Sequence, residues 1–88
     1  MNDRVDELRS AIGANDRRIV EAVNERLRLV AELWELKRAL GVDRLDPERE
    51  RALRAQLAAA NAGPLSASGL DELIGELLAL TKRELGSR

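Results

Sequence analysis

The sequence predicts an all-α fold of three helices, the first far longer than the other two. Three observations carry this. Helix breakers are few and clustered, at Gly41, Asp46-Pro47, Gly63-Pro64 and Gly86. Apolar residues recur at helical spacing between them, and no segment alternates apolar and polar residues as a half-buried strand would. The chain has 88 residues, the length of one small domain spanning 1–88. Such a chain buries little surface alone. It has no cysteine or histidine, and Trp34 is its one aromatic residue. The core must therefore be aliphatic, with no disulfide or thiolate metal site to reinforce it. Association with another copy is the remaining source of buried area.

The first helix is expected from about Asp3 to Leu40. One heptad column reads Val5, Ile12, Ile19, Arg26, Leu33, Leu40, and the other Leu8, Asn15, Ala22, Leu29, Leu36. Val20, Val23, Leu27, Val30 and Trp34 widen the stripe, so it should meet more than one neighbour. At 1.5 Å per residue this helix spans ~57 Å. A compact globule of this size has a diameter of roughly 30 Å. The helix outruns its own domain, and a second copy must cover the overhang. An antiparallel, intertwined homodimer is the simplest closed arrangement.

The second helix should begin with Asp46 as N-cap and Pro47 at its first position and run to about Ala60, burying Leu53, Leu57 and several alanines. The third should start after Ser66 or Ser68, the latter forming a capping-box pattern with Asp71. Its apolar face is Leu70, Leu73, Ile74, Leu77, Leu78 and Leu80. Lys82 and Arg83 sit in its last turn, where the helix dipole favours cations, and it should end near Leu85-Gly86 before a flexible Gly86-Ser87-Arg88 tail.

Composition narrows the function. Charged residues make up 35% of the chain, yet the net charge is only -1, which argues against nucleic acid as the main partner. No apolar run is long enough to span a membrane. The segment MNDRVDELRS carries acids and no apolar signal core, so a cytoplasmic location is expected. Nucleophile–His sets and phosphate loops are missing. Any chemistry here must do without them.

The polar anomalies say more. Arg26 occupies a seam otherwise filled by Val, Ile and Leu, where a charge is costly unless paired or bound. Lys37 lies about 16 Å further along nearly the same face, which suits two cations gripping a small anion. The competing reading has Arg26 snorkelling or paired with a glutamate, and Lys37 solvated. Arg9 is about 42 Å from Lys37 on the same helix, so only an antiparallel partner can bring it to the same ligand. Arg49, in the first turn of the second helix, is at odds with the dipole there.

Taken together, LRSAI (8–12), Asp16, NER (24–26), Lys37 and DPERE (46–50) resemble the all-helical class of chorismate mutases, and the ending LLALTKRELGSR looks like the short tails of actinobacterial members. The spacing Arg-x16-Arg-x10-Lys-x8-Asp-x2-Arg-Glu is far more specific than a lone motif. The resemblance implies a cytoplasmic homodimer of phenylalanine and tyrosine biosynthesis that rearranges chorismate to prephenate without a cofactor or metal. Arg9 of one chain and Arg26 of the other would grip the substrate carboxylates. Lys37 would donate to a carboxylate and to the ether oxygen. Asp46 and Glu50 would meet the ring hydroxyl, with Arg49 supporting a carboxylate contact. Thr81 falls where the family has a small hydroxyl residue on helix three. The family's Gln or Glu one turn later falls on Leu85, which can donate nothing. Loss of such a donor costs on the order of a hundredfold in rate, unless Lys82 or Glu84 substitutes. The alternative is a weak enzyme activated by docking onto 3-deoxy-arabino-heptulosonate-7-phosphate (DAHP) synthase. Two rivals remain: an isochorismate–pyruvate lyase of the same fold, and a non-catalytic helical dimerisation module.

Overall fold

A computed structural model describes residues 2–86. Its elements are α1 (Asp3–Leu40), α2 (Pro47–Ala60) and α3 (Ala67–Leu85). The helix limits are set by local chemistry. Asn2 caps α1, its side chain accepting from the backbone of Arg4 and Val5. Gly41 ends α1 in the left-handed conformation at φ 71°, where a side chain is strained, and Val42 N–H closes back onto the Lys37 carbonyl at 2.8 Å. Asp46 caps α2 by accepting from Arg49 N–H at 3.1 Å, with Pro47 in the first turn. Of the two serines before α3, Ser66 is the cap, its Oγ accepting from Gly69 N–H at 3.0 Å. Ser68 lies inside the helix, and Asp71 faces Arg54 instead of completing a capping box. Gly86 ends α3 in a right-handed conformation, and its N–H bonds to Lys82 O. The rest of the expected tail, Ser87-Arg88, lies outside the described residues.

α3 packs against both α1 and α2. The chain measures 60 × 25 × 17 Å, with a radius of gyration of 16.8 Å. A compact chain of this length would have a radius near 12 Å. The excess is α1, which runs far past its neighbours. Burial follows from this shape. Among the described residues, Leu70, Ile74 and Leu85, with the polar Thr81, are the buried ones, all on one stripe of α3. Leu77, Leu78 and Leu80 are half-buried and Leu73 is exposed.

Neither α1 nor α2 has a buried residue. The expectation that α2 buries Leu53, Leu57 and its alanines is corrected: Leu53 is half-buried, and Leu57 and the alanines are exposed, because only α3 lies against α2. Along α1 the heptad seam is open to solvent, with Ile12 59%, Ile19 54% and Leu36 56% exposed. No helix among the described residues is long and apolar enough to cross a membrane.

Candidate active site

The second half of α1, the start of α2 and the C-terminal half of α3 enclose an open cleft of about 960 Å³. Its wall contains Arg26 and Lys37 from α1, Asp46, Arg49 and Glu50 from the start of α2, and Thr81 from α3. Six positions singled out in the sequence thus meet in one concavity. Helical geometry explains how. Arg26, Val30, Leu33, Trp34 and Lys37 share one face of α1, and the α1–α2 connection brings the start of α2 to the same cleft.

Arg26 is neither paired with a glutamate nor simply solvated. Its Nη1 donates to Thr81 Oγ1 at 2.6 Å, and Thr81 Oγ1 donates onward to the Leu77 carbonyl at 2.7 Å. The hydroxyl is thereby engaged on both sides, at a residue only 5% exposed. A buried hydroxyl with a fixed acceptor orientation holds one edge of the guanidinium and leaves its other N–H groups for a ligand. Lys37 is half-buried, with Nζ 3.5 Å from the Arg44 carbonyl, the long limit for a hydrogen bond.

Three cleft residues escaped the sequence reading. Arg54 is ion-paired with Glu50 Oε1 at 3.5 Å and with Asp71 Oδ1 at 3.7 Å, the latter linking α2 to α3. Its place four residues after Glu50 was the available signal. Arg44 lies with its guanidinium carbon 4.3 Å from the centroid of the Trp34 ring. Trp34, counted only as part of a widened stripe, is one turn before Lys37, and both line the cleft. Two expected positions lie elsewhere. Arg9 is exposed near the free end of α1, remote from this cleft. Leu85 is packed at 4% exposure and borders a smaller hollow beside Trp34 and Ala31, whereas Lys82 faces the main cleft and Glu84 does not.

The charge inventory defines the chemistry. The described residues hold no cluster of metal-ligating side chains. Arg26, Lys37 and Arg49 lining one cleft with Asp46 and Glu50 suit a small polyanion that also bears a hydroxyl. Fold and cleft together describe a small helical domain with a charged cleft built to bind a small anion.

The chain belongs to the chorismate mutase type II family, which matches residues 8–84. It is accordingly an isomerase of the all-helical class. Two solved structures of chorismate mutase from Thermus thermophilus are similar to it. Form I is 33% identical, with TM-score 0.84, covering 89% of this chain and 98% of that one. Form II is also 33% identical, with TM-score 0.87, covering 97% and 96%. No curated relative matches the chain.

Proposed function

We propose that this chain rearranges chorismate to prephenate in a homodimer whose two equivalent sites each combine Arg9 of one copy with the cleft of the other. The observation that carries the reading is the convergence of Arg26, Lys37, Asp46, Arg49, Glu50 and Thr81 on one cleft, beside an α1 seam that a single chain leaves bare. The reaction is an intramolecular [3,3] shift. No proton is transferred and no covalent intermediate forms. The catalyst must hold the diaxial conformer and stabilise negative charge building on the ether oxygen as the C–O bond breaks.

The roles are those that the family resemblance implies, and the shared cleft supports them. Arg26 grips one carboxylate with the N–H groups not used on Thr81, so Thr81 is a positioning residue. Arg9 of the second copy takes the other carboxylate, with Arg49 in support. Lys37 gives up the weak bond to the Arg44 carbonyl and donates to a carboxylate and the ether oxygen. Asp46 and Glu50 receive the ring hydroxyl. Leu85, turned into the α3 core, contributes packing rather than a hydrogen bond, and Lys82 is the nearby donor that faces the cleft. A DAHP synthase partner fits a site that lacks a donor at Leu85.

Complementation between chains tests the shared site. Arg9→Ala and Arg26→Ala dimers should each be nearly inactive. Mixed and reassociated, half the dimers are hybrid and each hybrid has one intact site, so about a quarter of wild-type chorismate turnover returns. No recovery from a verified hybrid refutes the shared site. Prephenate as product, rather than salicylate and pyruvate from isochorismate, separates the mutase from the lyase. A monomer in solution without turnover refutes the whole reading. Adding DAHP synthase to the assay tests activation: an unchanged rate removes that partner.

A further inference from the structure

The six-residue connection from Gly41 to Asp46 has little apolar hold on the rest of the chain. Val42 and Leu45 are 53% and 72% exposed. Its ends are fixed by the α1 and α2 caps, and Asp43 Oδ1 accepts from Leu45 N–H at 3.0 Å within it. Beyond the Gly41 and Val42 N–H groups that close the end of α1, Arg44 reaches back to α1 at two points. Its guanidinium lies on the Trp34 ring, 4.3 Å to the centroid, and its carbonyl lies 3.5 Å from Lys37 Nζ. Trp34 and Lys37 are successive positions on one face of α1. Arg44 therefore ties the middle of the connection, beyond the helix cap, to the wall of the cleft.

We propose that Arg44 is a positioning residue for substrate binding: its stack on Trp34 holds the α1–α2 connection across the cleft, and its carbonyl holds the Lys37 ammonium there until a substrate carboxylate takes its place. The inference rests on the reading of Lys37 as a substrate cation. The two contacts divide the work. A cation over an indole face is a durable attachment. A 3.5 Å hydrogen bond is surrendered readily when a carboxylate offers a shorter, charge-assisted one. With the stack removed, the connection spends part of its time off the wall. Asp46, Arg49 and Glu50, which follow it in sequence, are then misplaced for that fraction. Apparent affinity falls by the same fraction, while molecules that do bind react nearly as before.

The test is steady-state turnover of chorismate by the dimer, combined with fluorescence. Trp34 is the single tryptophan and there is no tyrosine, so intrinsic emission reports the stack directly. Arg44→Ala should alter Trp34 emission and raise KM about twofold to fivefold, with a smaller fall in kcat. Arg44→Lys, which keeps a cation over the ring, should recover most of the affinity; Arg44→Gln should not. Trp34→Leu should raise KM to a similar extent, and adding Arg44→Ala to it should raise KM no further. A KM unmoved in Arg44→Ala, or full additivity of the two substitutions, overturns the proposal. Arg26→Ala serves as the reference. Turnover lost there but indifferent to Arg44→Ala removes the clamp alone. Turnover retained there removes the reading of the cleft, and the clamp with it.

Discussion

Replacing Thr81 with valine removes one hydroxyl and almost no volume. That hydroxyl accepts from Arg26 Nη1 at 2.6 Å and donates to Leu77 O at 2.7 Å, at a position 5% exposed. A hydrogen bond to a charged group contributes about 1.5–3 kcal/mol. Arg26 is only half-buried, so water recovers part of this and the lower half of the range applies. A loss of about 1.5–2 kcal/mol lowers Tm by on the order of 6–16 °C in a domain of this size. The effect on catalysis should be larger than stability alone implies. Without its acceptor the guanidinium is free to swing, and a displacement of about 1 Å can cost up to a hundredfold in rate. We expect kcat/KM for chorismate to fall at least tenfold in Thr81→Val and to stay within about threefold of wild type in Thr81→Ser, which keeps the hydroxyl. Calorimetry and a prephenate assay on the same preparations measure both. Thr81→Val with full kcat/KM and unchanged Tm refutes the reasoning, because Arg26 would then be held by something else.

Two further outcomes probe other parts of the cleft. Lys82→Ala should lower kcat about tenfold with little change in Tm if Lys82 supplies the donor that Leu85 cannot; an unchanged kcat assigns that lysine to the surface. Asp46→Asn keeps the cap on Arg49 N–H, so Tm should hold while kcat/KM falls about tenfold. Asp46→Ala should also lose about 1 kcal/mol of stability, read from the denaturant midpoint. Equal activity in the Asn variant and the wild type removes the ring-hydroxyl role of the carboxylate.

Much of this was legible before any coordinates. Gly41, Pro47 and Gly63 are breakers whose backbone preferences act within a few residues, so the three helices could be bounded from sequence. Arg26 was visible as a charge in an apolar column, since burial of an unpaired guanidinium is unfavourable wherever the column ends up. The choice between Ser66 and Ser68 was not legible, because both are good caps two positions apart and the α2–α3 connection decides between them. The burial of Leu85 had a signal that the family comparison obscured: with Leu70, Ile74, Leu77 and Thr81 it continues one helical stripe.

Local preferences thus specified the all-α class, the helix limits, the bare length of α1 and the polar positions worth watching, because caps, breakers and periodicity depend on near neighbours. Packing alone decided who meets whom. Arg26 finds Thr81 across 55 residues, Arg54 reaches Asp71, and Arg44 returns to Trp34 and Lys37. Those partners depend on how α3 crosses α1 and how the connection bends. That is a property of all three helices competing for one small core, which short-range chemistry does not encode.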